Sequence, residues 1–227
     1  MSTFLHSVNI PVNEHLRLKD PLTSELGMRI LKGSISMINE LGFEDFTFKK
    51  LAAQIETTEA SVYRYFESKH KLLLYLINWY WGMIEYRLIL ATNNIDDPEK
   101  RLKRAIELLV SLPSPESSDV FSIEPELKQI VIQEAPKVYL HKQVDSENKL
   151  GVFSAYKSVV ARVVEMVKAV NPRYSFPNML VSTIIEGSNQ QRFFAEHLPK
   201  LTNHTSKKDS VKTFFIELIF KTLKSND

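Results

Sequence analysis

Two short apolar stripes meeting at a tight corner constrain this chain more than any other feature of its sequence. Phe48, Leu51, Ala52 and Ile55 recur at the i, i+3, i+4, i+7 spacing of one helix face, and Thr47 stands before them as an N-cap. Only Glu56 and Thr57 follow before Thr58 caps a second segment, with Val62 and Phe66 facing inward and Glu59 where the helix dipole favours negative charge. A helix-turn-helix needs a small residue where its helices cross, a tight turn about four residues later, and an apolar residue about six further on. Ala52, Glu56 and Val62 occupy those positions. Val62 plugs the second helix onto the first and leaves its other face outward, ready for a major groove.

The rest of the chain is helical in pattern. Residues 1–21 read as an irregular N-terminal arm. Leu22 to Leu41 follows as the first helix, with Leu31, Ile35 and Ile38 on one face and Gly42 as its left-handed terminator. Ser68 caps a long helix to about Thr92 that is apolar on more than one face, and Asp97-Pro98 starts another ending near Leu112. Leu112 to Ser122 reads as loop, Glu124 to Ala135 as helix, and Pro136 as a boundary. A single long helix is expected over Ser146 to Val170, another over Pro177 to His197, and a last one carrying Val211, Phe214, Phe215, Leu218 and Ile219. Only 6 glycines and 10 prolines occur, too few for a chain built on tight β-turns, and no alternating strand pattern is bounded by hairpin dipeptides. The expectation is an all-α fold of about nine helices. Residues 22–72 form a three-helix helix-turn-helix domain, continuous with a larger helical domain over residues 73–227.

Composition narrows function by exclusion. The formal charge is +2, and the 10 basic residues before Asn93 are matched by 10 acidic ones, so any argument for DNA rests on arrangement rather than bulk charge. With no cysteine, disulfides, thiolate zinc sites and cysteine nucleophiles are absent. Leu72 to Ile84 is the longest mostly apolar run, short of the roughly 20 residues that span a bilayer. Met1 to Pro11 lacks the pattern of a secretory signal, and a cytoplasmic protein without a membrane partner is expected. No Gly-x-Ser-x-Gly elbow, glycine-rich nucleotide loop or His-Glu-x-x-His motif occurs, and the six histidines are scattered. His141 and His197 stand near carboxylates and read as ordinary surface histidines. Neither catalysis, a cofactor nor a metal site is expected.

The chain reads Gly42-Phe43, Thr47, Leu51-Ala52-Ala53, Tyr63-Arg64-Tyr65-Phe66 and Ser68-Lys69-His70-Lys71-Leu72. With these motifs the stretch from Arg29 to Ile77 resembles the TetR family of bacterial transcriptional repressors. Three positions depart from the family pattern. Glu56 stands at the turn where glycine is common, Phe46 where threonine is frequent, and Ala60 where the recognition helix often has glycine. A left-handed glutamate costs roughly 1–2 kcal/mol. The resemblance implies that Thr47, Tyr63, Tyr65 and Lys69 orient the domain on phosphates, while Thr58, Glu59, Ala60, Ser61 and Arg64 face the groove. Capping alone is the competing reading for Thr47 and Thr58, and packing for Tyr63.

The resemblance further implies a ligand-responsive repressor that binds a palindromic double-stranded operator as a homodimer, since a monomer grips only one half-site. Ile184, Gly187, Ser188, Gln191 and Ala195 of the penultimate helix, with Phe215 and Ile219 of the last, are the expected dimer surface, against the alternative of packing within one chain. An effector cavity is implied among the middle helices. Trp79, Tyr80, Tyr86, Phe121, Tyr139 and Phe153 either line it, which favours an apolar or aromatic effector, or form plain core. The rival to a repressor is a helical ligand- or protein-binding module that keeps the fold and has lost DNA binding.

Overall fold

The structure, a computed structural model, describes residues 10–113, 123–205 and 209–224. Eleven α-helices occur among them: α1 Glu25–Asp45, α2 Phe48–Gln54, α3 Glu59–Tyr63, α4 Lys69–Thr92, α5 Pro98–Val110, α6 Glu124–Glu134, α7 Pro136–Tyr139, α8 Val144–Lys149, α9 Ser154–Val170, α10 Pro177–His197 and α11 Ser210–Lys224. The chain is all-α, as its composition requires, and none of these helices is long and apolar enough to cross a membrane. It divides into two compact units, one of Met1–Met83 with Pro113–Ser154, the other of Ile84–Leu112 with Ala155–Asp227. α6 packs on α1, which draws the middle of the chain into the first unit.

In the first unit, Ser24 caps α1 by accepting from Gly27 N at 3.1 Å. Gly27 is required there, since a Cβ would stand 2.2 Å from the Pro21 carbonyl oxygen. Leu31, Ile35 and Ile38 form the expected buried stripe, extended by Ile30. Gly42 breaks the helix at φ +77°, and Phe43 turns inward beyond it. Residues Leu72 to Trp81 of α4 are all buried, matching a helix apolar on several faces. From residue 10 onward the arm is more regular than its sequence suggests. It makes two 3-10 turns, Glu14–Leu16 and Pro21–Thr23, and buries Ile10, Val12 and Leu16. The Asn13 amide donates to Leu150 O at 2.9 Å.

The single helix expected over residues 146–170 is broken in two. Gly151 adopts φ +72°, which stops α8, and Val152 turns into the core while its carbonyl accepts from the Asn78 side chain of α4. Pro136 is a boundary with Ala135 alone between the helices: α6 ends at Glu134, Ala135 caps it and precedes α7, and Pro136, which has no amide to satisfy, takes the first position of α7.

In the second unit α5, α10 and α11 pack on one another. Asp97 caps α5 at Lys100 N, 3.0 Å away. The buried Arg192 of α10 donates to Val110 O at 2.9 Å and to both Asp209 oxygens at 2.9 and 2.8 Å, joining the end of α5 to the start of α11. Burial works against the Asp209 carboxylate, but the Arg192 bonds and the Lys212 amide outweigh it and hold its pKa below the ordinary value.

The folded-state pKa of Asp209 is depressed, so its contribution to stability is present above the unfolded value of about 3.8 and is lost as pH falls through the folded one. Asp209→Asn is expected to cost about 1 kcal/mol at pH 7, discounted for the carboxylate's exposure to solvent. Urea titrations should show the gap to wild type closing as the carboxylate protonates, and a gap constant with pH would refute the pairing. A second measurement concerns Glu56, the non-glycine residue with positive φ (51°) among the described residues. Glu56→Gly relieves about 1–2 kcal/mol of strain and loses about 0.4–1 to unfolded-chain entropy, so the urea midpoint should rise at unchanged m-value.

Candidate nucleic-acid interface

The α2–α3 corner is built by local bonds and held by one side chain of α1. Thr47 accepts from Lys50 N at 3.2 Å and Thr58 from Ser61 N at 3.2 Å, so both capping assignments hold. Between them Thr57 N donates to Ala52 O at 2.9 Å and closes the turn around the left-handed Glu56. The Arg29 guanidinium donates to Ile55 O and also reaches Glu56 O, occupying the carbonyls that the end of α2 leaves free. Phe48, Leu51, Ala52, Val62 and Phe66 are buried, as their spacing requires. Gly33 of α1 is a further small residue at this crossing that periodicity does not reveal: a Cβ there would lie 2.7 Å from Ile55 Cγ2 and 3.0 Å from Leu51 Cδ1.

With Val62 inward, the opposite side of α3 faces out. Thr58, Glu59, Ala60 and Arg64 are exposed, and Ser61 is half-buried. Arg64 Nη2 donates to Ser61 Oγ at 3.1 Å, which extends the guanidinium along the helix surface. Tyr63 is 46% exposed, and its ring meets Phe48 edge-on at 5.0 Å, so it packs and presents its hydroxyl side at once. Thr47 is exposed at the start of α2 beside Lys49 and Lys50.

Two residues expected to meet phosphate are used inside the fold instead. Tyr65 is only 3% exposed, and its hydroxyl lies 2.7 Å from Ser24 Oγ. The Ser24 hydrogen bond outweighs burial and, with Lys19 nearby, lowers the phenol pKa from its ordinary value. Lys69 donates to three backbone oxygens, those of Phe43 and Glu44 at 3.0 Å and of Phe46 at 3.2 Å, which uses all three ammonium protons. A cation that sequence pattern passes over lies closer to the surface of the corner. Lys19 is exposed with its ammonium 5.2 Å from the Tyr65 ring centre, and the arm is fixed there by Leu18 N donating to Tyr65 O at 2.8 Å.

The other candidate residues fall into separate groups. Trp79 and Tyr80 are buried in the first unit, where Tyr139 and Phe153 are half-buried with ring centres 5.9 Å apart. Trp81 Nε1 donates to the Tyr139 hydroxyl at 2.9 Å. Tyr86 is exposed and belongs to the second unit, and Phe121 lies outside the described residues. Ile184, Ser188, Phe215 and Ile219 are buried within a single copy. Gly187 lets α11 approach α10 in that copy, since its missing Cβ would be 3.1 Å from Phe215 Cζ. Gln191 and Ala195 are half-buried, and Gln191 lines a cleft of about 380 Å³ with Leu201, His204, Val211 and Phe214. The exposed apolar side chains of these helices are Met179 and Phe214.

Known proteins share this architecture. The family described as bacterial regulatory proteins, tetR family, matches residues 30–76. A putative transcriptional regulator from Saccharomonospora viridis, solved in complex with choline, superposes with a TM-score of 0.59 at 17% identity, covering 88% of this chain and 95% of its own. AibR, solved with isovaleryl coenzyme A and operator DNA, gives 0.60 at 16% identity over 85% and 97% of the two chains. The superantigen PfiT gives 0.59 at 15% identity over 92% and 100%. No curated protein matches the chain in sequence. The α2–α3 corner lies inside the segment, residues 30–76, that is similar to the tetR family of bacterial regulatory proteins.

Proposed function

We propose that the chain is a DNA-binding transcriptional regulator, acting in the cytoplasm as a ligand-responsive repressor that grips a palindromic operator as a homodimer. The observation that carries this reading is the outward row of Thr58, Glu59, Ala60 and Arg64 on α3, held by a corner whose own polar groups are satisfied within the fold. Arg64 supplies a fork for guanine or phosphate, Glu59 an acceptor for cytosine, and Thr47 and Tyr63 contacts to the backbone. Lys19, Lys49 and Lys50 add the positive charge that total composition hides. Tyr65 and Lys69 serve this surface by positioning it. The homodimer is drawn from the two-fold symmetry that a palindrome demands, with the outer faces of α10 and α11, including Met179 and Phe214, as its surface. AibR, with its acyl-coenzyme A and operator, and the choline-bound regulator support both operator binding and control by a small molecule. Among the aromatic residues, the half-buried Tyr139 and Phe153 are the best placed to meet an apolar effector.

A second reading is favoured by the likeness to PfiT, a protein of the same fold that is described as a superantigen. In that reading the chain is a helical binding module without DNA affinity, and Glu56 and Glu59 make α3 unsuited to a phosphate backbone.

Selection of genomic fragments by the full-length chain should return an inverted repeat whose binding weakens steeply with salt. Arg64→Ala should reduce affinity for that repeat by about 10- to 100-fold with unchanged circular dichroism. Lys69→Met should instead lower the melting temperature, because it strips three carbonyls of their donor. Failure to bind any duplex at low salt selects the second reading.

A further inference from the structure

Scattered in sequence, two of the histidines are brought by the fold to one buried carboxylate. His70 lies in the first turn of α4, His141 in the turn after α7, and Glu147 in α8, all within the first unit. His70 Nε2 is 3.0 Å from one Glu147 oxygen and His141 Nε2 is 3.0 Å from the other. The three donor atoms lie within 4.8 Å of one another, and the imidazoles meet edge to face with ring centres 4.8 Å apart. Glu147 is 4% exposed, and the two imidazoles are the partners of its carboxylate. Both oxygens of one buried carboxylate thus face imidazole nitrogens, so three potential ligand atoms converge at one point.

We propose that His70, His141 and Glu147 bind a divalent transition-metal ion of the zinc class. Two imidazoles and one carboxylate are a three-ligand set that zinc accepts with water in the fourth position, and the half-exposed imidazoles leave a solvent side for that water. Ligands about 2.0–2.2 Å from a tetrahedral ion stand about 3.3 Å apart, so the two 3.0 Å separations open slightly while the widest donor separation, up to 4.8 Å, closes to admit one. Imidazole donors select against calcium and magnesium, which take oxygen ligands. Ligation needs the Nε2 lone pair, so each neutral ring carries its proton on Nδ1 instead. For His141 this gives up the 3.3 Å contact from the Gln143 amide to Nδ1, a long bond in an exposed turn. The site does not depend on the DNA-binding reading, and ion binding is measured without DNA.

The test uses the untagged full-length chain stripped by chelator. Isothermal titration should show one Zn²⁺ per chain, and Co²⁺ should develop the visible absorption of a tetrahedral site. His141→Ala, His70→Ala and Glu147→Gln should each weaken binding by more than about 10-fold, whereas His197→Ala and His204→Ala should not change it. Helical circular dichroism identifies any variant that fails to fold, and the half-exposed His70 and His141 provide the decisive variants. Absence of the cobalt bands in the wild-type chain, or full affinity in the folded His70 or His141 variants, overturns the site.

Discussion

The bend between Gly42 and Phe46 decides where the outward face of α3 points, and a small set of charged groups holds that bend. A helix that ends abruptly leaves carbonyls without donors. Here the Lys69 ammonium collects those of Phe43, Glu44 and Phe46, while the carboxylate of Glu134 in α6 accepts from Phe43 N at 3.0 Å. Lys137 then pairs with Glu134 and reaches Glu44 at 3.4 Å. Burial alone would lower the Lys137 pKa, but the two carboxylates raise it above the ordinary value, so the cation persists. Because Thr47 begins α2 directly after this bend, an error in the bend would be carried through α2 to every exposed residue of α3.

Strain is placed where it serves the same end. Glycine at the Glu56 position would relieve the left-handed conformation but would also loosen the corner in the unfolded and folded chain alike. Arg29 bonds the carbonyls of Ile55 and Glu56 across the turn, and Gly33 lets α2 sit close enough to α1 for that reach. Both contacts link α1 to the corner, so the first helix is a scaffold for the other two.

Features set by neighbouring residues were legible in the sequence. Thr47, Thr58, Ser68 and Asp97 cap the helices that their position implies, because a cap bonds an amide two or three residues away. Gly42 and Glu56 take the left-handed conformations that their places at a helix end and a tight turn require. What could not be read depends on partners far along the chain. Tyr63 and Tyr65 look alike in a Tyr-x-Tyr motif, yet α3 ends at Tyr63 and the next residues turn Tyr65 in toward Ser24, 41 residues earlier. Gly151 breaks a periodic stretch because Val152 has a place in the core beside Asn78. Ile184 and Phe215 are apolar at the spacing an intersubunit face would also show, and only the packing of α10 on α11 assigns them to the interior.

The start of α4 is the place where these separate findings meet. Lys69 and His70 are consecutive, so they leave the helix about 100° apart and face different neighbours. Lys69 reaches back to the end of α1, whereas His70 meets Glu147 of α8 and, through it, His141. The first turn of α4 is therefore held from two directions by polar contacts, one setting the angle of the helix-turn-helix and the other tied to the segment from residue 141 to residue 147. An ion between His70, His141 and Glu147 would replace those hydrogen bonds with ligand bonds and reset the spacing between that segment and α4. Any shift it imposed on His70 would be felt by Lys69 on the same turn, and hence by the bend that aims α3. A ligand acts on a distant surface only through a difference in its affinity for two arrangements, and this turn is the element whose position both groups of contacts determine.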